Sequence, residues 1–338
     1  MDDSSKKKGG DVKVFDIEVS SLIKNFGKFT AVDKISFKVA SGEIFGLLGP
    51  NGAGKTTTIK MLTTLLEPTG GNAKIASHDI IKEKNSVRQS IGIVFQDPSL
   101  DDKLTGKENL IFHGMLYNLK KELMYERITN VLKLVELEEK ADILVENYSG
   151  GMKRRLEIAR GLMHMPKVLF LDEPTVGLDP QTRRKIWDYI IELNKTHNTT
   201  IVLTTHYIEE ADFLCSRVAF VDHGKIIALD TPEKLKNAMG GDMISLKIEG
   251  AVEKGIFNSI KWIKHTSLVN GIFELAVENG EKKIPELLKI LENKGIAVIS
   301  VNLRKPSLED VFIKATGRGI REEGSNSKDK MRMLRSRR

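Results

Sequence analysis

At 338 residues the chain is long enough to bury a full core and to form two domains, and its 40% hydrophobic and 29% charged residues are those of a soluble globular protein. A single cysteine, Cys215, excludes an intramolecular disulfide framework and fits a reducing interior, and no uninterrupted apolar segment reaches the ~18 residues of a membrane span. The formal net charge of +7 is modest and lies largely in the two ends, without the aromatic interleaving of a nucleic-acid binder.

Met1 to Gly10 is polar and lysine-rich with no apolar core, so no secretory leader is expected there. Residues 1–14, with Lys6, Lys7 and Lys8, are expected to be a disordered, solvated basic tail. Glu43 to Leu48 predicts an apolar strand. It leads into Gly49-Pro50-Asn51-Gly52-Ala53-Gly54-Lys55-Thr56, which fits G-x-x-x-x-G-K-[ST] at every fixed position, and Thr57 opens an apolar-periodic helical stretch. The order has a physical reason. Glycines let successive backbone N–H groups turn inward around phosphates, and the helix N-terminus adds partial positive charge. Lys55 then reaches the β- and γ-phosphates, and the Thr56 hydroxyl is a Mg²⁺ ligand.

Ile91 to Phe95 predicts a strand with Gln96 at its end, and residues 97–161 are rich in helical patterns such as Glu108 to Leu119 and Tyr125 to Leu137. Tyr148-Ser149-Gly150-Gly151-Met152 is a turn opening a helix, where the Ser149 hydroxyl and backbone N–H groups can receive an anion. The phosphate loop at Gly49 already fills that role, so this second anion site has no evident occupant within one chain. Lys153, Arg154 and Arg155 read as a solvated helix face in preference to a charge cluster near phosphates.

Val168 to Leu171 is a short apolar strand that delivers Asp172 and Glu173 to its C-terminal edge. Asp172 suits Mg²⁺ and Glu173 suits a general base or water-positioner. Gly177-Leu178-Asp179-Pro180 follows, and then a β-branched strand, Thr200 to Thr205, with His206 after it. Pro232 and Gly240-Gly241 punctuate a boundary. Beyond it, Met243 to Glu249, Ile272 to Val277 and Ala297 to Leu303 alternate as strands and Lys283 to Lys294 is helical. Ser307 is the expected N-cap of a last helix, with Asp310 at the capping-box position. Residues 318–338 close the chain as a second basic tail, ending in Arg332, Arg335, Arg337 and Arg338. Attraction of such ends to anionic lipid headgroups is possible for a protein held at a membrane.

The loop at Gly49, the turn at Ser149 and the strand end Leu171-Asp172-Glu173-Pro174 together resemble the motifs of ATP-binding cassette (ABC) ATPases. The resemblance implies an α/β P-loop NTPase fold. Its cassette would span 15–235, with a parallel-sheet core, an antiparallel β part and a helical subdomain at about 97–161, followed by a small α+β domain at 240–317. ATP and Mg²⁺ become the cofactors. Gly49, Pro50, Asn51, Gly52, Ala53, Gly54, Lys55, Thr56 and Thr57 would hold the phosphates, and Thr56, Gln96 and Asp172 the metal. Lys55, Gln96, Glu173 and His206 form the expected catalytic set: Gln96 senses Mg²⁺ and the attacking water, and His206 contacts the γ-phosphate. Asp179 matches the loop that crosses to a partner subunit. Phe26, in Asn25-Phe26-Gly27, holds the register of the adenine-stacking ring, with Phe29 as its competitor.

In this family the signature turn of one subunit closes over the ATP held by another, so Ser149, Gly150 and Gly151 would complete the site of a second subunit. The signature here is YSGGM where LSGGQ is commoner; Tyr148 and Met152 depart from the pattern, Ser149 and the glycines do not. Leu104-Thr105-Gly106-Lys107-Glu108-Asn109-Leu110 resembles the drug- and multidrug-export branch, and Ser307-Leu308-Glu309-Asp310-Val311-Phe312 the daunorubicin-resistance type. The implied protein is the energy-coupling subunit of an exporter of drug-like or lipid-like substrates. It would act as a homodimer, peripheral to the cytoplasmic side of the cell membrane, with a separate transmembrane permease docked on the helical subdomain. No nucleic-acid partner is expected. The C-terminal domain shows no catalytic constellation and is read as dimer-stabilising or regulatory. The alternative, a soluble ABC ATPase acting on DNA or ribosomes, calls for long heptad inserts or two cassettes in one chain, and this sequence has neither. An importer is disfavoured by the branch resemblance alone.

Overall fold

The structure is a computed structural model describing residues 14–97, 99–249, 254–257, 259–269 and 271–317. The basic ends, including Lys6-Lys7-Lys8 and the run from 318 to 338, lie outside the described residues except for Val14. In chain order the elements are β1 (Phe15–Phe26), β2 (Phe29–Ala40), β3 (Ile44–Leu48), α1 (Lys55–Leu62), β4 (Gly70–Ile75), β5 (His78–Asp79), α2 (Lys84–Ser90) and β6 (Ile91–Val94). Next come α3 (Gly106–Leu116), α4 (Lys121–Leu134), α5 (Gly150–Leu162), β7 (Val168–Asp172), α6 (Pro180–His197), β8 (Thr200–Thr205), α7 (Ile208–Leu214), β9 (Arg217–Asp222) and β10 (Lys225–Asp230). The chain ends with α8 (Pro232–Asn237), β11 (Asp242–Ile248), β12 (Ile263–Val269), β13 (Ile272–Val277), α9 (Gly280–Asn293), β14 (Val298–Arg304) and α10 (Leu308–Thr316).

Among the described residues three sheets result, with strand orders β2-β1-β4-β5, β10-β9-β3-β8-β7-β6 and β12-β13-β11-β14. In the six-stranded sheet β3 runs parallel to β9 and β6 parallel to β7, while β10 closes one edge antiparallel. Every residue of β3, β7 and β8 is buried, which is why these strands read as continuous apolar or β-branched runs instead of alternating. β1 pairs antiparallel with β4 and bulges between Ser20 and Ile23.

By contacts the chain divides into two compact units, residues 1–24, 34–44 and 59–202, and residues 25–33, 45–58 and 203–338. The first holds the helical insert. Its α3 starts with a capping box, in which the Glu108 N–H donates to Thr105 Oγ1 at 3.1 Å and the Thr105 N–H to Glu108 Oε2 at 2.8 Å. In α4 the buried residues are Met124, Ile128, Val131 and Leu132, the spacing of one helix face. The second unit holds the phosphate loop and the C-terminal sheet, whose strands β11 to β14 pair antiparallel. Ile244, Leu246, Phe273 and Leu275 pack there with Leu287 and Leu291 of α9. β12 is a strand that its mixed sequence did not announce. Ser307 and Asp310 form the capping box of α10, and Phe312 meets Phe220 of β9 edge-on with centroids 5.8 Å apart.

Candidate nucleotide-binding and hydrolysis site

The second unit builds the phosphate loop against β9 and the end of β8. The Gly49 N–H donates to Thr205 O at 3.3 Å, and the Gly224 N–H, just past β9, donates to Ala53 O at 2.9 Å. Two loop glycines are sterically required. A Cβ on Gly49 would lie 2.0 Å from Val221 O, and one on Gly54, at φ +104°, 2.4 Å from Ala31 O. Gly52, at φ +86°, faces open space, with Asn51 exposed beside it. Lys55 is buried, and its Nζ donates to Gly49 O at 2.7 Å and Pro50 O at 3.0 Å, so the ammonium is held over the loop by the loop's own carbonyls. Lys55, Thr56 and Thr57 form the first turn of α1, and the Thr58 hydroxyl donates back to Gly54 O.

His206 comes directly after Thr205, the strand end that receives the Gly49 N–H, and its ring stands 4.3 Å from that of Tyr207. Phe26 and Phe29 flank a turn at Gly27 (φ +57°) and are 50% and 62% exposed, so both rings reach the surface.

In the first unit, β6 and β7 pair in parallel with Val94 opposite Leu171. Gln96 and the pair Asp172-Glu173 therefore leave the same C-terminal edge. Asp172 is 2% and Glu173 8% exposed, whereas Gln96 is exposed. Glu173 adopts φ +48°, in the left-handed region that side chains other than glycine seldom occupy. Such backbone strain persists where surrounding contacts hold it.

Ser149 is the N-cap of α5, where its Oγ accepts from the Met152 N–H at 3.2 Å. Ser149 and Gly150 are exposed. A Cβ on Gly151 would lie 2.4 Å from Thr182 Cγ2, so this glycine lets α5 approach the start of α6. Asp179 caps α6, accepting from the Thr182 hydroxyl and from the Thr182 N–H at 3.0 Å; the hydroxyl bond first, then the backbone one, holds its carboxyl below the usual range. Tyr148, the departure from the commoner signature, is buried and donates its hydroxyl to Lys140 O at 2.6 Å.

The solvated face expected of Lys153, Arg154 and Arg155 is not what the structure forms. Lys153 pairs with Asp102 at 2.7 Å, and Arg155 lies against Tyr189 and donates to Val135 O. Arg154 is buried outright and paired with Glu157 at 3.0 Å. Charge alone read these residues as exposed; the Asp102 carboxylate that pairs with Lys153 and the carbonyls that receive Arg154 and Arg155 come from segments distant in sequence. The i,i+3 spacing of Arg154 and Glu157 was the one signal that could have shown the pair.

Family models match two stretches of the chain. One described as "ABC transporter" matches residues 32–176, and one described as "ATP-binding protein DrrA1-3-like, C-terminal domain" matches 231–316. The linearmycin resistance ATP-binding protein LnrL of Bacillus subtilis is 39% identical over 90% of this chain and all of its own length. The chain belongs to the ABC transporter ATP-binding proteins. It is similar also to the daunorubicin/doxorubicin resistance ATP-binding protein DrrA of Streptomyces peucetius, 38% identical over 89% of this chain and 92% of that one. Among solved structures, cbiO1 of Clostridium perfringens, part of the ABC transporter complex cbiONQ, superposes with a TM-score of 0.62 at 30% identity, over 67% of this chain and 94% of that one. The cassette MJ0796, solved as a dimer in a post-hydrolysis state bound to ADP and Pi, gives a TM-score of 0.58 at 28% identity over 64% and 98%. The chain is thus an ABC ATPase of P-loop fold that binds ATP and carries a DrrA-like C-terminal domain.

Proposed function

We propose that this ABC ATPase is the energy-coupling subunit of an exporter, with the cassette at 15–235 and an accessory domain at 240–317. Two copies would enclose two ATP and drive a separate membrane permease from the cytoplasmic face, for drug-like or lipid-like cargo. The observation that carries the reading is the near full-length similarity to resistance ATP-binding proteins, C-terminal domain included. Two further observations support it. Phe112, Met115 and Leu116 leave an exposed apolar edge on α3, a surface suited to a partner. No helix among the described residues is long and apolar enough to cross a membrane.

In the mechanism, the Gly49–Thr56 loop would receive the phosphates on its backbone N–H groups and Lys55 would neutralise the β- and γ-oxygens. Thr56, Asp172 and Gln96 offer hydroxyl, carboxylate and amide oxygens, donor types that fit Mg²⁺ and that the family resemblance would assign to it. When bound, the ion supplies charge neutralisation at the transferring phosphoryl group. Glu173 orients water and takes its proton, and His206 contacts the γ-phosphate. Phe26 stacks on adenine. Ser149, Gly150, Gly151 and Asp179 meet the nucleotide of the partner subunit, and ATP does work because it favours the closed dimer over the open one.

The test is to recover the tagged protein from detergent-solubilised membranes of its own host, with Glu173→Gln and ATP-Mg²⁺ to hold the dimer closed. A polytopic membrane protein at near-equal stoichiometry is expected. Recovery only from the soluble fraction, with ribosomes or nucleic acid, would overturn the exporter reading and favour the soluble alternative.

A further inference from the structure

The guanidinium of Arg154 reaches three main-chain carbonyls outside its own helix. Nη1 donates to Phe95 O at 2.5 Å, Nη2 to Asp172 O at 3.1 Å and Nε to Pro174 O at 2.7 Å. Phe95 immediately precedes Gln96, and Asp172 and Pro174 flank Glu173. One side chain therefore grips the backbone on both sides of the residue that carries φ +48°. Glu157, 1% exposed, continues the connection: its Oε2 accepts from Arg154 Nη1 at 3.0 Å, and its Oε1 accepts from the Ser99 N–H at 2.8 Å. Arg160 adds a bond from Nη1 to Ser99 O at 2.7 Å. Phe95 and Ser99 thus bracket Gln96 as Asp172 and Pro174 bracket Glu173.

A buried ion pair adds little net stability over apolar residues of similar volume. What this pair supplies is direction, because its polar atoms are spent on the segments that carry Gln96 and Glu173. All of it hangs from α5, the helix that Ser149 caps. We propose that Arg154 and Glu157 are positioning residues that fasten Gln96 and Glu173 to the signature helix, so that a movement of the Ser149 turn moves the hydrolytic groups of the same chain. The inference rests on the reading of Glu173 and Gln96 given above. It requires the chemical step to depend on the pair, while nucleotide affinity, set in the phosphate loop, does not.

Arg154→Lys keeps the charge but replaces a planar fork with a point donor that cannot serve three carbonyls. Glu157→Gln keeps the volume but leaves one acceptor oxygen and an NH₂ between two donor neighbours, so Arg154 or Ser99 loses its bond. The purified full chain is assayed for ATPase kcat and KM, for the Kd of a fluorescent MANT-ATP probe, and for melting temperature. The expected result is unchanged Kd and KM with kcat lowered roughly tenfold to a hundredfold in Arg154→Lys, the scale of a misplacement of about 1 Å. Glu157→Gln should show the same split to a smaller degree, and it decides the matter alone if Arg154→Lys does not fold. Full kcat in folded variants, or kcat, MANT-ATP affinity and melting temperature falling together, overturns the positioning role. Glu173→Gln runs beside them. If it is inactive while both other variants turn over at the full rate, only the positioning role fails. If Glu173→Gln itself turns over at the full rate, the reading of the site fails and the positioning role with it.

Discussion

Glu173 is held at φ +48°, a conformation that costs an L-residue about 1–2 kcal/mol and a glycine almost nothing. Two substitutions separate that backbone cost from the chemistry of the carboxylate. Glu173→Ala and Glu173→Gly both remove the buried carboxyl, so its desolvation and its bonds drop out of the comparison between them. What remains is the left-handed backbone, which alanine must still adopt under strain. Against it stands the greater freedom that glycine has in the unfolded chain, and where φ is positive the backbone strain is the larger of the two. The glycine variant should therefore be the more stable by about 1 kcal/mol, roughly 2 °C in melting temperature for a chain of this size. Differential scanning fluorimetry of the nucleotide-free proteins reads the difference, and an ATPase assay should find both variants inactive. An alanine variant that melts at or above the glycine variant would refute the claim that the turn at Glu173 is strained.

Lys55→Ala removes an ammonium that the loop carbonyls hold over the phosphate site, and its charge-assisted bonds are worth about 1.5–3 kcal/mol, so the Kd for ATP in a MANT-ATP titration should rise roughly 10- to 150-fold. Ser149→Arg places a long cation at an exposed helix cap: monomer ATP binding should persist, about 1 kcal/mol of cap stability should go, and ATP-driven dimerisation by light scattering should vanish. His113 makes stability depend on pH, because burial, then Arg160 and His164, push its imidazole from 6.5 down to about 4. Its proton is therefore bound more readily by the unfolded chain across that window. The contribution is full above pH 6.5 and is lost as pH falls toward 4, up to about 3 kcal/mol in all. In His113→Gln melting temperature should fall less steeply over that range, with the buried His164 keeping part of the slope.

The strand–loop–helix at Gly49 and the acids after Leu171 were legible because both are local. A phosphate cradle needs glycines at fixed offsets, and a strand buried on both faces must be an unbroken apolar run. The capping box at Ser307 and the amphipathic face of α4 were legible for the same reason. β12 was not: Lys264, His265 and Thr266 interrupt any alternation, and the strand exists because β13 offers it an edge to pair with. Tyr148 was legible as a departure from a pattern, but not as a buried donor to Lys140 O, since that carbonyl lies in a turn before the signature.

The sequence by itself determined the local parts: a glycine-rich loop between a strand and a helix, an acid pair at a strand end and a serine-capped Gly-Gly turn, each written in a few adjacent residues. Only the tertiary structure decided how these parts are held. Whether a lysine–arginine run faces water or main-chain carbonyls depends on strands far along the chain, and no periodicity records it. Arg154 is buried because β6 and β7 end beneath α5, and Glu173 can stay in a left-handed turn because that arginine bonds the carbonyls on either side of it.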